Sequence, residues 1–362
     1  MNDALQTHTT DTANVDAGQL AQAEQLKQQW KEFHQRNPKT RIRDAARLLD
    51  SSEAELVASG CGNTAVRLKN HWADIIKDLE TLGEVMALTR NDNAVHEKTG
   101  QYQNIRIMGN MGLVLDPAID LRLFLNHWHS GYAVEEPLDD GGVRQSLQFF
   151  DIDGQAIHKV YMTENSDQFA YRTLVGAYTA DDQTIVQRVF SHPAPPPERA
   201  DAEIDVDGFR THWKALQDTH DFYELLKTFG VSRLQGLRLG GEDLARRVDA
   251  HAYKPLLETA AEKELSIMVF VGSPGVVQIH TGPIHMLWQN PEWFNILDPG
   301  FNLHLRTGAV DSSWVVRKPT VDGDVHSLEC YDSNGKTIMQ LFGARKPGQA
   351  EDPLWRELVT QL

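Results

Sequence analysis

The sequence predicts an α+β fold in which one unit, an antiparallel β-sheet with helices packed on it, occurs twice. Three pairs of motifs indicate the duplication: Trp30-Lys31 recurs as Trp213-Lys214, LDP at 115–117 recurs at 297–299, and DIDG at 151–154 recurs as DSNG at 332–335. The offsets of 183, 182 and 181 residues keep the copies in the same order at nearly constant spacing. A cleft between such copies is the expected ligand site.

The first copy begins with helical signals and continues with strands. A helix around Trp30 is interrupted by Pro38, and the segment 41–59 carries a second helix, a Ser-Ser cap signal and a third helix. A broad apolar stripe over 66–82 predicts a further helix that ends at Gly83. From 84 to 163, short apolar or alternating runs between turn residues predict an antiparallel sheet.

A proline-rich segment, HPAPPPERADAE, separates the copies, because its prolines cannot sustain a helix or a central strand. The sequence therefore predicts a disordered tail over residues 1–20, a first α+β repeat over 21–190, a linker over 191–207 and a second α+β repeat over 208–362.

Composition excludes several classes of protein. The 362 residues carry a formal net charge of −16, which disfavours binding to nucleic acid or anionic lipid. Cys61 and Cys330 show no zinc or disulfide spacing, as is typical of a reducing compartment. The first 18 residues lack a signal-peptide pattern, and the apolar runs are too short to span a bilayer. We expect a cytoplasmic protein without stable membrane insertion.

The stretch from Trp213 to Gly230 is the first candidate for a functional element. Read as one helix, it places Trp213, Leu216, His220, Tyr223 and Lys227 on one face, so an imidazole lies in an apolar stripe. Such a histidine is either a buried structural residue or a ligand for a metal or cofactor. The counterpart of His220 in the first copy lies near residues 37–38, so the repeated fold does not require this imidazole.

A second candidate lies on the predicted strand DLRLFLNHW. Alternation places Arg122, Phe124, Asn126 and Trp128 on one face and the leucines on the other. Arg122 corresponds to His304 in the second copy, so the arginine also belongs to one copy only. It is either an edge residue that reaches solvent or a charged donor in an apolar cavity.

The second copy also concentrates basic residues despite the acidic total: Arg233, Arg238, Arg246, Arg247, Arg317, Lys318, Arg345 and Lys346. An apolar cleft with an imidazole on one wall, an arginine on another and cations at its mouth would suit haem. Its iron accepts a neutral imidazole, its macrocycle is apolar, and its two propionates pair with Arg or Lys.

Several motifs in conserved order carry a family resemblance: RNDNAVHEKTG, LDPAIDLRLFLNHW, SLQFFDIDG, DTHDFYELLK, IMVFVG, VQIHTG, FNLHL, WVVRKPTVDG and SLECYDSNG. They resemble the haemin-degrading factor family, the HemS/ChuS-like cytoplasmic haem proteins of bacterial iron uptake. The resemblance extends from about Trp30 to the C-terminus. It implies two repeats with haem b between them, the first repeat on the distal side and the second on the proximal side.

The resemblance also implies roles for individual residues. It makes His220 the proximal ligand of the haem iron and Arg122 the distal, catalytic residue, with Phe124 beside it. It assigns propionate and pocket contacts to Arg233, Lys318, Gln340 and Arg345. Phe342 stands where the family often has tyrosine, so a phenol hydrogen bond is missing there. His96 matches a histidine that offers an alternative haem site in some members.

Two functions follow from the resemblance, and a third from the residues alone. The first is a haem-degrading oxidoreductase that opens the ring with oxygen and an external electron donor, a reductase or NAD(P)H. The second is a carrier that takes haem from an inner-membrane importer to a separate oxygenase or other acceptor protein. The third is a binding protein for another hydrophobic anion, with His220 merely buried.

Overall fold

The computed structural model describes residues 16–138, 140–193, 196–346 and 348–362. Two antiparallel sheets of nine strands each, together with helices, make up the described chain, so the predicted duplicated α+β fold is confirmed. The sheets do not follow the two halves of the sequence. Each sheet takes six strands from one repeat and three from the other.

The first half of the chain contains five helices and nine strands among its described residues. They are α1 (Ala17–Arg36), α2 (Ile42–Leu48), α3 (Glu53–Ala58), β1 (Ala65–Arg67), α4 (Trp72–Asp78), β2 (Gly83–Arg90), β3 (Ala94–Gln101), β4 (Arg106–Met108), β5 (Met111–Leu115), β6 (Asp120–Phe124), β7 (Ser130–Pro137), β8 (Val143–Phe150), β9 (Ala156–Ser166) and α5 (Gln168–Tyr178).

The second half repeats this order: three helices, a strand, a helix, eight strands and a final helix. Its described elements are α6 (Val206–Lys214), α7 (Asp221–Phe229), α8 (Arg233–Gly240), β10 (Ala245–Val248), α9 (Tyr253–Glu262), β11 (Ile267–Ser273), β12 (Val276–Gly282), β13 (Leu287–Gln289), β14 (Trp293–Asp298), β15 (Phe301–Arg306), β16 (Ser312–Lys318), β17 (Val325–Tyr331), β18 (Thr337–Gly343) and α10 (Pro353–Thr360).

Strand exchange joins the two repeats. Strand β15 of the second repeat pairs with β3, and β6 of the first repeat pairs with β12. The strand orders are β1-β7-β8-β9-β2-β3-β15-β14-β13 and β10-β16-β17-β18-β11-β12-β6-β5-β4. Leu121 and Leu123 of β6 are fully buried with Val85 of β2 and Val276 of β12, so both sheets contribute to one apolar core.

The helical start of each repeat has the same local design. In the first repeat, Ser52 and Glu55 form a capping box at α3, as the Ser-Ser signal predicted. In the second, Ser232 caps α8. The preceding turns have positive φ in both copies, at Asp50 and Gly230. Aligning these features makes Thr40 the counterpart of His220, close to the position expected from sequence.

The prediction of one helix over Trp213–Gly230 is wrong. Helix α6 ends at Lys214, and α7 begins at Asp221, with His220 as its N-terminal capping position. In a continuous helix, Trp213 and Phe222 would lie about 13 Å apart along the axis. The turn instead brings their rings to 4.6 Å in an edge-to-face contact, and both are buried. This aromatic packing accounts for the break.

Other boundaries also differ from the sequence expectations. Helix α1 begins at Ala17, within the expected tail of residues 1–20, and residues 1–15 lie outside the described part. The expected linker, 191–207, includes a 3-10 turn at Asp201–Glu203 and the start of α6. Another 3-10 turn, Leu125–His127, ends the alternation of β6, so the prediction that Asn126 and Trp128 continue the Arg122 face is wrong.

No helix among the described residues has the length and apolar character needed to cross a membrane.

Candidate functional site

One face of the second sheet is only partly covered, and several predicted site residues lie on it. Partners in an antiparallel ladder project to the same side of a sheet. The ladder links Arg122 to Val277, Val277 to Gly272, and Phe270 to Gln340. These side chains are half-buried, whereas the alternate residues Leu121 and Leu123 are buried in the core. We call this surface of β6, β12, β11 and β18 the platform.

Arg122 and Phe124 lie on the platform, as the alternation of β6 predicted. The Arg122 guanidinium is held by the carboxylate of Asp120, two residues earlier on the same face. Burial raises the pKa of Asp120. Because Arg122 keeps about a third of its side chain exposed (31%), its charge remains available to a ligand on the platform.

His220 is exposed, so the expectation of an imidazole inside an apolar stripe is wrong. Its side chain is 86% exposed, and Nδ1 lies 2.6 Å from Asp218 Oδ1. The His220 backbone N–H donates to the same carboxylate at 2.9 Å and holds the pKa of Asp218 below its usual value. Nε2 has no hydrogen-bond partner within the described chain. A carboxylate on one ring nitrogen and a free second nitrogen is the usual arrangement of a metal-ligating histidine.

Arg233 and Lys318 converge on a buried carboxylate, Glu329. The Arg233 Nε and Nη2 atoms each donate to Glu329 at 2.8 Å, and Lys318 Nζ donates at 2.9 Å. Tyr331 also donates its hydroxyl to Glu329. Burial opposes ionisation of Glu329, but the two cations hold its pKa well below the usual value. We call Arg233, Lys318, Glu329 and Tyr331 the ionic hub.

Phe222 connects the ionic hub to the helix that follows His220. Lys318 Nζ lies 4.9 Å from the centre of the Phe222 ring, and the Arg233 guanidinium lies 5.2 Å from it. Lys318 also lies 5.7 Å from the Phe342 ring, which packs against Phe270 of the platform at 5.1 Å. The hub therefore lies between α7 and the platform, where cation–π contacts fix the start of the helix.

The remaining predicted pocket residues border the same region. Gln340 and Phe342 lie on the platform face of β18. Arg345 follows that strand and pairs with Asp322 at 3.6 Å. Arg345 also contributes to lowering the pKa of Asp218, the partner of His220. The residues predicted on the second repeat thus surround one end of the platform.

His96 is not part of this surface. It is fully buried on β3, 5.0 Å from the Phe301 ring, and neither ring nitrogen has a side-chain partner in the described chain. Burial is the main cause that lowers the pKa of His96 well below its ordinary value. Because His96 is fully buried, a ligand could reach it only after a local rearrangement of the fold.

An open cleft of about 1080 Å³ adjoins the platform. Platform and hub residues line one part of it, among them Phe270, Val277, Gln340 and Arg233, and first-repeat residues line the rest. Its volume is at the upper end of ordinary small-molecule sites. An apolar platform, a free imidazole nitrogen and several cations fit a flat apolar ligand that carries a metal and acidic groups.

Sequence reasoning missed the carboxylate partners of the basic residues. Asp120 and Asp218 each lie two residues before their partner, so local spacing could have indicated them. Glu329 and Asp322 are distant in sequence from their basic partners, so only the tertiary fold brings each pair together. Phe222 was likewise missed, because the expected continuous helix gave it no reason to meet Lys318.

Comparison with known proteins identifies relatives across nearly the whole chain. Residues 50–178 and 230–362 each match the family described as haemin-degrading HemS.ChuX domain, which confirms the resemblance. The chain is 41% identical to hemin transport protein HmuS of Yersinia pestis over 338 residues, covering 93% of this chain and 97% of that protein.

Solved structures agree with this assignment. Holo-PhuS, a heme-binding protein from Pseudomonas aeruginosa, is 47% identical with a TM-score of 0.91, covering 93% of this chain and 98% of its own. ChuS, an E. coli heme oxygenase, is 38% identical with a TM-score of 0.85, covering 93% and 99%. Relatives of this fold thus include proteins described by binding, by transport and by catalysis.

Proposed function

Because this chain belongs to the haemin-degrading HemS/ChuX-domain family, we propose that it binds haem b between α7 and the platform and opens the ring to release iron. Haem is the ligand and the substrate. The reaction consumes oxygen and electrons from an external donor, a reductase or NAD(P)H. The geometry of His220 carries the proposal, since it is an exposed imidazole with a carboxylate on Nδ1 and no partner on Nε2 in the described chain.

His220 supplies the proximal nitrogen to the haem iron. Asp218 accepts a hydrogen bond from Nδ1–H, which selects the tautomer with a free Nε2 and increases the basicity of the ring. The turn between α6 and α7 presents the ring to solvent rather than to the core. Tyr223, which is 69% exposed one turn further along, covers part of the macrocycle when haem is bound.

Arg122 acts on the opposite side of the macrocycle. Its guanidinium carries a permanent charge, and Asp120 fixes its direction, so it stabilises negative charge that develops during oxygen activation. Phe124 and Val277 exclude water from that side. The chemistry of ring opening itself belongs to the haem and oxygen, and the protein supplies orientation and charge.

The cations near α7 receive the propionates, but not equally. Arg233 borders the cleft, and its Nε and Nη2 atoms donate to Glu329, whereas Nη1 has no hydrogen-bond partner among the described residues. Lys318 is only 3% exposed and donates to Glu329, so we assign it a supporting role rather than a direct contact. Arg345 and Gln340 complete the polar side of the site.

Titration of the purified chain with haemin tests the binding site. We expect a Soret band typical of histidine-ligated haem in the wild type, and a shifted band with weaker binding in His220→Ala. His251→Ala, which changes an exposed histidine outside the site, is the matched control and should behave as wild type. An unchanged spectrum in His220→Ala would exclude His220 as the ligand.

Carriage without catalysis is the second candidate, and the exposure of His220 favours it, because an accessible ligand suits transfer to an acceptor. To separate the two, the haem complex is mixed anaerobically with reductant and then exposed to air with catalase present. Soret loss with one linear tetrapyrrole and one released iron per haem supports the enzyme. An unchanged Soret band with rapid transfer to apo-myoglobin supports the carrier.

We further propose that the protein works in the cytoplasm, between an inner-membrane haem importer and the acceptors of haem or iron. Cys61 and Cys330 are both buried and unpaired, which suits a reducing compartment. The acidic net charge makes nucleic acid an unfavourable partner.

A further inference from the structure

The DIDG turn between β8 and β9 brings together three potential metal ligands. One ligand atom from each of Asp151, Asp153 and His192 lies within 4.8 Å of the others. His192 Nε2 is 3.3 Å from Asp151 Oδ2 and 4.0 Å from Asp153 Oδ1. Ligand atoms that bind one first-row metal ion at about 2.1 Å lie roughly 3.0–3.4 Å from one another. The three side chains would therefore need to move only a little to coordinate one ion.

The second repeat shows how much of this arrangement the turn itself needs. Asp151 Oδ1 accepts from the Gln155 backbone N–H at 2.8 Å, and Asp332 Oδ1 accepts from the Lys336 N–H at 2.9 Å in the equivalent turn. The turn therefore needs the first aspartate and only one of its oxygens. The counterpart of Asp153 is Asn334, so the fold accepts an amide in place of the second carboxylate.

A separate segment supplies the imidazole. The Phe190 backbone N–H donates to Ile152 O within the turn at 2.8 Å, and the Phe190 ring lies 6.0 Å from that of His129. These contacts fix the chain two residues before His192 against the turn.

Apart from His192, the two carboxylates of the turn have no basic partner in the described residues. Neither Asp151 nor Asp153 has a Lys or Arg within ion-pair distance in the described residues. The neighbouring Ala54 N–H donates to Gly154 O, and the adjacent Glu53, 2% exposed, lines the same cleft. Lys159 pairs with Glu53 Oε1 and balances its charge, whereas the Oε2 atom has no partner in the described chain. The cleft wall therefore keeps one buried acceptor atom without a donor, where a ligand or its bound water can be held.

We propose that Asp151, Asp153 and His192 bind a divalent first-row metal ion through two carboxylates and one imidazole, with water at the remaining positions. The cleft that these residues line also borders Arg233 and Gln340 of the haem site. If the proposed haem degradation holds, the ion is the ferrous iron that ring opening releases. Only this choice of metal rests on the proposed function.

Manganese titration of the haem-free, chelator-treated full chain tests the site, with free Mn²⁺ measured by electron paramagnetic resonance. We expect one tight equivalent per chain in the wild type. Asp153→Asn, which copies Asn334, and His192→Ala should each weaken binding at least about tenfold. His251→Ala controls for adventitious binding by exposed histidines and should bind as wild type.

Haem titration of Asp153→Asn separates this proposal from the function. Normal haem binding with loss of the manganese site supports the proposal. If His220→Ala binds manganese normally but wild type fails to bind haem, the metal site stands and the proposed function falls. Equal manganese binding by wild type and both ligand variants means that the site holds an adventitious ion only, which overturns the proposal.

Discussion

Each basic residue predicted for the candidate site has a carboxylate partner, which Arg233 and Lys318 share. His220 pairs with Asp218, Arg122 with Asp120, Arg345 with Asp322, and the Arg233–Lys318 pair with Glu329. Such partners fix the direction of a charged side chain before a ligand arrives, so less conformational entropy is lost on binding. They also explain how an acidic protein can keep several cations beside an apolar platform.

Replacing Arg122 by alanine should separate binding from turnover. We expect the variant to retain haem, since His220 and the platform remain, but to open the ring about 100-fold more slowly, as is typical when one preorganised charged donor is removed. The rate of Soret loss with reductant and air measures this effect. Arg106→Ala, on strand β4 at the edge of the same sheet, is the control, and equal rates in both variants would contradict the role of Arg122.

Replacing Glu329 by glutamine should destabilise the protein strongly. The change leaves Arg233 and Lys318 together in a buried site without a counter-charge, a loss of about 3–5 kcal/mol for a broken buried pair. Denaturant unfolding measures the free energy. Glu224→Gln, which removes the exposed partner of Lys227, should cost less than about 1 kcal/mol. A small loss in both variants would show that the hub is not stabilising.

At the scale of elements, the junctions around α7 decide where His220 lies. The turn before α7 lets Trp213 and Phe222 pack together, and the turn after it ends at Gly230 with φ of 63°. Left-handed φ is costly for residues other than glycine. Both ends of this nine-residue helix are therefore set by specific residues rather than by its own helix propensity.

The same substitution at two glycines should have opposite effects. Gly230→Ala forces a Cβ atom into the left-handed region and should lower the free energy of unfolding by about 1 kcal/mol. Gly176→Ala lies inside α5 with open space around the new Cβ, and should raise it by up to about 1 kcal/mol. Thermal or denaturant unfolding checks both signs, and destabilisation by both would refute the backbone argument.

At the scale of the whole molecule, strand exchange places polar groups in the seam between the sheets. Thr89 of β2 donates to Gln278 of β12 at 2.8 Å, and its hydroxyl also contacts His158 Nδ1 at 2.9 Å. Tyr102 contacts His158 Nε2 at 2.6 Å. On the neighbouring strands, Lys98 Nζ lies 3.2 Å from His280 Nδ1. These polar contacts help to align the two sheets.

The buried histidines of this seam should make stability depend on pH. Burial lowers the pKa of His158 to about 3, and burial together with Lys98 lowers the pKa of His280 to about 3. The unfolded chain takes up these protons near pH 6.5, so the stability that the neutral rings confer is present above pH 6.5 and is lost as pH falls toward 3. Each histidine should cost about 2 kcal/mol at pH 5.

Denaturant midpoints between pH 7 and pH 5 measure this loss. His158→Gln removes one buried imidazole and should show a shallower decline, even if its stability at pH 7 is lower. The exposed control, His251→Ala, should keep the wild-type slope. A wild-type midpoint that does not move with pH would contradict neutral, buried rings.

The sequence alone determined the duplicated α+β plan and the inward and outward faces of β6, and it singled out Arg122 and His220 as candidate site residues. Each follows from spacing within a short segment or from comparing two copies. Only the tertiary structure decided that β6 and β15 cross to the other sheet, that the helix breaks before His220 and that Glu329 joins Arg233 to Lys318. These features depend on strand register and on packing between residues such as Trp213 and Phe222. The energies of these contacts cannot be read from a local sequence pattern.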